Sequence, residues 1–415
     1  MQILNNKPTN LRITKFFLFV LILSTLVACQ KDENPTTENA PLDIPEITDI
    51  NPPSNPDEGD GTVDEAAVGE LGRLLFYDPI LSGGRDVACA TCHHPDFGYA
   101  DGRALSIGVE GEGLGPDREH LTPDQTGFVI RNSPTIINTA FNGTDENGNY
   151  DRALAPMFWD NRVLSLETQA LGPIQNFEEM RGHAFGEDVA LDSIVNRLLQ
   201  NTEYRGLFTA AFGEENAVTT ENIGSAIATF ERFITATDSP FDRYQAGDQA
   251  ALNAAQIRGM NRFNQIGCDN CHSGPMFSDY QLHTLGVPDN PDINGTDAGA
   301  DGSYNFRTPT LRNLTETGPY FHNGVGGNLQ QTIAFYRTAR NFAANNGGPG
   351  GGPGGGLNIN PNVNRNQIAD EVRDLNNFDN NDIQDIIAFL QALNDPDFDR
   401  EIPTEVPSGL DFRNF

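Results

Sequence analysis

The amino-acid sequence predicts a mostly α-helical protein built from two domains of similar construction. Apolar residues recur at helical spacing in several segments, whereas the alternating pattern of strands is scarce. The motif Cys-x-x-Cys-His occurs twice, at residues 89–93 and 268–272. About 350 residues follow the N-terminal region, a length that suits two core-forming domains. One motif in each half therefore predicts one similar site per domain.

Residues 1–28 are predicted to be a lipoprotein signal peptide. Basic residues precede an apolar stretch at residues 16–28, which is too short for a permanent membrane-spanning helix. Small and apolar residues lead to Cys29, the expected site of lipidation after cleavage. An ordinary secretory signal with a chance cysteine is the alternative. We expect an exported protein that a lipid alone anchors to the outer membrane or cell surface, facing the periplasm or the medium.

Residues 29–60 are rich in Pro, Asn, Thr and acidic residues. Such a segment buries too little apolar surface to offset its ordering entropy, so we predict a disordered tether. An N-terminal domain at residues 61–240 and a C-terminal domain at residues 241–415 follow. The chain has five cysteines, one for the lipid and four in the two motifs, so no disulfide is expected.

Helical periodicity marks several segments of the N-terminal domain. Residues 65–77 form an amphipathic pattern, and a break at residues 78–82 separates it from the first motif. The long, Gly-rich and charged stretch at residues 98–126 predicts a loop over the open side of the first site. Further helices are predicted at residues 160–170, 189–200 and 219–235, the last with Thr219 or Thr220 as its N-cap.

The C-terminal domain begins after a boundary near residues 238–244. A predicted helix at residues 250–265 leads directly into the second motif, and another follows at residues 329–340. Residues 345–357 are a Gly- and Pro-rich insertion, which a surface loop tolerates at little entropic cost. The last helix is predicted at residues 380–393, with its isoleucines on one face.

The two motifs are typical of covalent attachment of c-type haem. Two cysteines form thioethers with the porphyrin, and the adjacent histidine supplies an axial nitrogen to the iron. A zinc half-site or a redox dithiol could explain one copy, but two copies in an exported chain favour haem. The predicted haem-binding residues are Cys89, Cys92 and His93 in one domain and Cys268, Cys271 and His272 in the other.

The formal net charge of −32 makes nucleic acid an improbable partner. A basic, soluble electron donor would be steered toward such a surface, at a rate that falls as salt rises. The alternative is that the acidity only keeps an exported protein soluble.

Motifs outside the haem peptides occur in an order and spacing that resembles a known family. They are Phe76-Tyr77-Asp78 with Leu81-Ser82, Arg131-Asn132-Ser133-Pro134, Phe158-Trp159-Asp160-Asn161-Arg162, Gly172-Pro173-Ile174 with Glu179-Met180, and Pro319-Tyr320-Phe321-His322-Asn323-Gly324. Between residues 68 and 393 the chain resembles the bacterial dihaem cytochrome c peroxidases and MauG. The resemblance implies a peroxide site at the N-terminal haem, a C-terminal haem that relays electrons, and a homodimer.

The resemblance also implies roles for individual residues. Glu179 matches the distal carboxylate that assists peroxide cleavage, and Gln169 matches a second residue of the distal pocket. Trp159, the single tryptophan, matches an electron relay between the haems; a core residue is the alternative. Asn132 through its side chain, and Thr317 and Pro319 through backbone carbonyls, match an interhaem calcium site.

Two positions depart from the classical peroxidases. Val109 stands where a histidine caps the first haem, so we expect this haem to be open in the oxidised state unless His120 substitutes. Tyr336 stands where a methionine ligates the second haem of the classical peroxidases. A tyrosine ligand at this position is the MauG-like arrangement. Tyr336 could instead pack in the core, with Met260 or Met276 as the ligand.

The sequence thus predicts a dihaem peroxidase that reduces hydrogen peroxide with electrons from a small cytochrome c or copper protein. A MauG-like enzyme that oxidises a protein or an organic substrate is the first alternative. A dihaem electron carrier without peroxide chemistry is the second.

Overall fold

The computed structural model of the chain describes residues 64–121, 127–145, 148–344 and 356–413. The predicted signal peptide, Cys29, the tether and most of the Gly-rich insertion lie outside these ranges. The described residues belong to one compact unit. In this part of the chain, no helix has the length and apolar character that crossing a membrane requires.

Helices account for most of the regular structure, which confirms the predicted mostly α class. They are α1 Glu65–Tyr77, α2 Cys89–Cys92, α3 Leu166–Ala170, α4 Gly172–Gln175, α5 Ala190–Gln200, α6 Thr202–Phe212, α7 Thr220–Phe233, α8 Pro240–Gln245, α9 Ala254–Ile266, α10 Leu329–Ala344, α11 Asp370–Arg373 and α12 Asn380–Gln391. A single π-helical turn spans Phe177–Arg181, and short 3₁₀ turns include Pro95–Phe97, Cys268–Asn270 and Leu314–Glu316.

Within the described ranges, the strands are only two residues long and form three separate antiparallel pairs. They are β1 Gly111–Glu112 with β2 Glu119–His120, β3 Pro156–Met157 with β4 Val163–Leu164, and β5 Leu282–His283 with β6 Phe306–Arg307. Such short pairs fix local turns and supply no extended sheet to the core.

Most predicted helices are confirmed within a few residues at each end. Helix α1 has the predicted bounds, and Thr219 is the N-cap of α7, its hydroxyl accepting from the Asn222 amide. The helix predicted at residues 160–170 is wrong in its first half, because Val163–Leu164 pairs as a strand. Ser165, at a φ of 68°, then caps the short helix α3.

Buried apolar side chains form two large clusters. The first is built mainly by α1, α5, α6 and α7, and the second mainly by α8, α9, α10 and α12. Helix α1 of the first cluster precedes the first haem motif and its other helices follow that motif, while the helices of the second cluster lie on both sides of the second motif in sequence. The exact domain bounds at residues 61–240 and 241–415 remain predictions.

In each cluster, two helices cross in backbone contact at a glycine. A Cβ atom on Gly72 of α1 would lie 1.9 Å from the Ala226 carbonyl oxygen of α7. A Cβ atom on Gly259 of α9 would lie 1.9 Å from the Asp385 carbonyl oxygen of α12. Only glycine permits so close an approach, so a central helix pair is packed in the same way in both clusters.

The chain ends by returning to the first cluster. Phe398, Val406 and Phe412 are buried there, although they follow α12 of the second cluster. We refer to residues 395–412 as the C-terminal segment. Its placement is a feature that the sequence analysis, which assigned these residues to the second domain, did not anticipate.

Alanine substitutions at three helical glycines should separate helix propensity from packing. Gly72→Ala and Gly259→Ala should each lower the free energy of unfolding by about 1–3 kcal/mol, because the methyl group collides with a backbone carbonyl. Gly206→Ala in α6 meets no atom within 4 Å and should raise stability by up to about 1 kcal/mol. Chemical denaturation of the three variants measures this, and equal effects at all three positions would contradict the packing argument.

Candidate active site

A cavity of about 570 Å³ brings the predicted site residues together. Its walls carry both histidines of the haem motifs and side chains from both halves of the sequence. The predicted residues that line it are Cys89, Cys92, His93, Asn132, Trp159, Gln169, Glu179, Cys271, His272, Thr317, Pro319 and Tyr336. Cys268 is the one predicted haem residue outside the lining, and it lies in the adjoining 3₁₀ turn.

The first motif presents a buried imidazole to the cavity. His93 directly follows α2, and its Nδ1 atom lies 3.1 Å from the Tyr99 carbonyl oxygen and 3.2 Å from Ser133 Oγ. Burial lowers the pKa of His93, so the imidazole stays neutral. With Nδ1 donating to a carbonyl, the lone pair resides on Nε2, the form that ligates a metal.

The second motif repeats this arrangement. His272 Nδ1 donates to the Phe277 carbonyl oxygen at 3.1 Å, and burial lowers the pKa of His272 to about 4. Its imidazole is therefore also neutral and oriented by a backbone acceptor. The two sites offer the same donor set, two thiols and one neutral imidazole.

The cysteines do not resemble a reactive dithiol. Burial raises the pKa of Cys92 and of Cys268 to about 12, so the thiols stay protonated and unreactive toward disulfide exchange. Among the described residues, one group could hold a metal ion, namely Cys271, His283 and Glu371. Because Cys271 belongs to the second haem motif, its sulfur is already assigned to a thioether.

Glu179 is a partly buried carboxyl group on the π-helical turn Phe177–Arg181. The Asn176 side chain caps this turn by accepting from the Glu178 and Glu179 amides at 3.0 and 3.1 Å. Burial raises the pKa of Glu179 to about 7, against a smaller opposing effect of Arg162. The carboxyl group can therefore bind and release a proton near neutral pH.

Gly108 lets the backbone that carries Glu179 approach closely. A Cβ atom at this position would lie 2.1 Å from the Glu178 carbonyl oxygen, and the Val109 amide donates to the same oxygen at 3.3 Å. Gly108 and Val109 thus pack directly against the backbone of the turn that carries Glu179. Val109 itself is buried and is not among the residues that line the cavity.

Trp159 and Asn132 are joined directly. The indole Nε1 donates to the Asn132 carbonyl oxygen at 2.9 Å, while Asn132 Nδ2 donates to the Arg103 carbonyl oxygen at 2.7 Å. Thr317 and Pro319 line the same cavity, on either side of Gly318. The predicted relay therefore contacts one of the predicted calcium ligands, Asn132, and the other two line the same cavity.

The candidate second ligands differ in position. Tyr336 lines the cavity, and burial strongly raises the pKa of its phenol. Met260 and Met276 are buried elsewhere and do not line the cavity. His120 lies on β2 with its ring 4.9 Å from the Phe128 ring, also outside the lining.

Sequence reasoning missed several charged residues of the cavity wall. Arg131 bonds Asp297 through Nε at 2.6 Å and Asp160 through Nη1 at 2.8 Å. Glu231 of α7 is buried beside the first motif, and burial raises its pKa to about 8. The quoted motifs contain Arg131 and Asp160, but pairing with Asp297, which is distant in sequence, has no local signal.

Comparisons with known proteins agree with this geometry. A family model described as di-haem cytochrome c peroxidase matches residues 66–250. Methylamine utilization protein MauG of Methylorubrum extorquens is 34% identical over 272 residues, which are 64% of this chain and 67% of that protein. Cytochrome c551 peroxidase of Pseudomonas aeruginosa is 34% identical over 282 residues, 65% of this chain and 72% of that protein. The chain belongs to the dihaem cytochrome c peroxidase and MauG family.

Solved structures support the fold of this family member. The crystal structure of a MauG-like protein associated with microbial copper homeostasis matches with a TM-score of 0.63 and 25% identity, over 85% of this chain and 95% of that one. The dihaem peroxidase BthA of Burkholderia thailandensis matches with a TM-score of 0.62 and 22% identity, over 84% and 92%. The predicted family and fold class are confirmed.

Membership makes the protein an oxidoreductase of the cytochrome c peroxidase type, with peroxidase or MauG-like function. The family implies two c-type haems, and the residues present fit them. Each motif offers thiols and a neutral imidazole, and one large cavity touches both motifs. His93 and His272 would supply the axial nitrogens, and the haems would supply the redox chemistry of the site.

Removing either cysteine pair should remove one haem. Cys89→Ser/Cys92→Ser and Cys268→Ser/Cys271→Ser should each bind half of the wild-type haem covalently, because a motif without a thiol can form no thioether bond. Mass spectrometry of the denatured protein, with a pyridine haemochrome assay, measures the stoichiometry. An unchanged haem content in either double variant would refute the assignment of that motif.

Proposed function

We propose that the protein reduces hydrogen peroxide to water at the His93 site, with electrons that a small redox protein delivers through the His272 site. The observation that carries the proposal is the partly buried carboxyl group of Glu179, which lines the same cavity as His93 and has its pKa raised to about 7. An electron carrier has no need of a buried proton-exchanging group at its haem. A peroxidase does, because cleavage of the O–O bond requires proton transfer.

Glu179 is proposed to move that proton. The overall reaction takes one H₂O₂, two electrons and two protons to two waters. Cleavage requires a proton to pass from one peroxide oxygen to the departing oxygen, and a carboxyl group with a pKa near ambient pH can accept and return it. Gln169, on the adjacent helix α3, can hold the peroxide by an amide hydrogen bond.

Trp159 is proposed to carry electrons between the two sites. Its indole lines the shared cavity, and the hydrogen bond to Asn132 holds the ring in one orientation. Asn132, Thr317 and Pro319 are proposed to bind one calcium ion in the same wall. Oxygen donors of this kind, completed by water, suit calcium. The ion would then join Asn132, which contacts the relay Trp159, to the segment of Thr317 and Pro319.

The proposed donor is a small cytochrome c or copper protein with a basic surface. The net charge of −32 favours its approach by electrostatic steering. Lipidation at Cys29, an outer-membrane or cell-surface location, and a homodimer complete the proposal. The first two follow from the sequence of residues 1–29, and the dimer from the family resemblance alone.

A MauG-like oxidation of a protein or an organic substrate is the second candidate function. Tyr336 favours it, because this phenol lines the cavity near the second motif whereas Met260 and Met276 do not. A phenolate ligand stabilises ferric iron more than a thioether does, and would place the second haem at a lower potential than in the classical peroxidases. Turnover with a reduced cytochrome, compared with oxidation of a candidate substrate, separates the two functions.

Glu179→Gln should lower peroxide turnover by about 10²–10⁴-fold, since the amide cannot exchange a proton. In the wild type the rate should rise with pH through about 7, because only the carboxylate above its pKa accepts the first proton. The variant should lose this pH dependence. Steady-state oxidation of a reduced small cytochrome measures both effects.

Glu178→Gln is the matched control, since Glu178 is the adjacent acid on the same turn. It should retain most of the activity. Full peroxide turnover in Glu179→Gln would refute the proposed role of Glu179, whereas a wild-type protein without peroxide turnover would favour the electron carrier.

The fully oxidised protein should react with peroxide without prior reduction. Val109 occupies the position of the capping histidine and cannot ligate iron, and His120 does not line the cavity. Neither residue is therefore placed to cap the first haem. Stopped-flow absorbance with no reductant present should show a rapid Soret change. A reaction that begins only after one haem is reduced would indicate a capped first haem.

Tyr336→Met should raise the midpoint potential of the second haem, because a thioether stabilises ferrous iron relative to phenolate. Spectroelectrochemical titration resolves the two haems. Tyr320→Phe, at another partly buried tyrosine of the cavity, should leave that potential unchanged. If both variants keep the wild-type value, Tyr336 is not a ligand.

A further inference from the structure

The two backbone carbonyls that hold the histidines belong to residues of unusual conformation. Tyr99 accepts from His93 at a φ of 55°, and Phe277 accepts from His272 at a φ of 53°. Both side chains are fully buried. A left-handed conformation at a residue other than glycine costs about 1–3 kcal/mol and persists only where the surroundings enforce it. The aim of each carbonyl therefore depends on what holds the aromatic ring.

Phe277 is held by its own core. Its ring contacts Phe241, Phe263 and Phe389 edge-on, with centroids 5.3 to 6.3 Å apart. Arg312 also donates from Nε to the Pro275 carbonyl oxygen at 2.7 Å, within the same loop. The second site is thus clamped by helices of the second cluster.

Tyr99 is held in large part by the C-terminal segment, residues 395–412. Its hydroxyl donates to the Asp399 carbonyl oxygen at 2.8 Å, and its ring lies 6.0 Å from the Phe398 ring. Arg400 donates from Nη1 to the Pro95 carbonyl oxygen at 2.6 Å, which ties down the loop between His93 and Tyr99. An arginine bonded to a proline carbonyl thus occurs in both sites, but here it comes from the end of the chain.

The C-terminal segment is itself fixed at both ends. Near its start, Asn313 Nδ2 donates to the Asp395 carbonyl oxygen at 2.6 Å. Near its end, the Ser408 hydroxyl donates to Asp78 Oδ1 at 2.7 Å, directly after α1. In between, Arg400 forms an ion pair with Glu316 at 2.7 Å, and Glu316 immediately precedes Thr317. The C-terminal segment therefore connects residues 313–317, which adjoin the cavity, with the loop that orients His93.

We propose that Tyr99 is a positioning residue for His93, and that the C-terminal segment sets the strength of the His93 hydrogen bond through Tyr99 and Arg400. Donation from Nδ1 to a well-placed carbonyl gives the imidazole more anionic character, which strengthens its bond to iron and lowers the haem potential. Ser133 Oγ, 3.2 Å from the same Nδ1, is a weaker alternative acceptor. Releasing Tyr99 should therefore weaken the interaction without abolishing it. The inference rests on the proposed role of His93 as axial ligand.

The test uses the full-length dihaem protein with Tyr99→Phe, Arg400→Gln and the double substitution. Resonance Raman of the reduced protein reports the iron–histidine stretch, and spectroelectrochemistry reports each haem potential. For the first haem, we expect the stretch to move to lower frequency and the potential to rise, with the largest change in the double variant. The second haem should not change, because the Phe277 clamp is untouched.

Tyr204→Phe is the matched control. Tyr204 is equally buried, and its hydroxyl donates to Asp78 Oδ2 at 2.7 Å, at the far anchor of the same segment. Its loss should lower stability without shifting the first haem's stretch or potential. A shift equal to that of Tyr99→Phe would mean that general loosening, and not the Tyr99 carbonyl, is responsible, and would overturn the proposal.

Hydrogen exchange over residues 395–412 completes the experiment. If the double variant loosens this segment while the first haem keeps its wild-type stretch and potential, the positioning role is refuted. Should the double variant fail to fold, Arg400→Gln decides alone, since the Arg400 side chain is 37% exposed and is not part of the apolar core. A first haem that keeps its wild-type spectrum and potential in His93→Ala would instead refute the proposed ligand His93.

Discussion

Close contact between paired helices is the constraint on which the rest of the structure depends. At Gly72 and at Gly259, two helices meet without an intervening side chain. Each crossing joins the helix that precedes a haem motif to a helix that follows the motif far along the chain. Helix α9 leads straight into the second motif, and α1 precedes the first by a short 3₁₀ turn. Because the helices cannot slide apart or rotate without a clash or a void, the motifs enter the cavity in a defined orientation.

Burial then sets the chemistry of the groups that line the cavity. The same desolvation that keeps His93 and His272 neutral raises the pKa of Glu179 to about 7. Neutral imidazoles suit metal ligation, and a carboxyl group that titrates near neutral pH suits proton transfer. A low-dielectric environment lowers the pKa of an imidazole and raises the pKa of a carboxyl group. A single apolar cavity therefore sets the protonation of both kinds of group.

The two halves solve the same problem with different parts of the chain. Phe277 is fixed by neighbouring helices, whereas Tyr99 is fixed by Phe76 of α1 together with the C-terminal segment. A site held by local core packing is rigid by construction. The His93 site is held by a segment that also contacts Glu316, the residue before Thr317. This segment therefore connects the His93 site with the part of the cavity that Thr317 lines.

The sequence by itself determined the helical class and most helix bounds, and it supplied the proposed haem-attachment residues and the set of candidate residues around them. These follow from helical periodicity, capping and motif spacing, which are local properties of the chain. Only the tertiary structure decided that Tyr336 lines the cavity while Met260 and Met276 do not, that Arg131 pairs with Asp297, and that residues 395–412 return to Tyr99. Each of these depends on contacts between residues far apart in sequence. The free energy of such contacts comes from burial and from the geometry of the folded chain, so no local pattern records them.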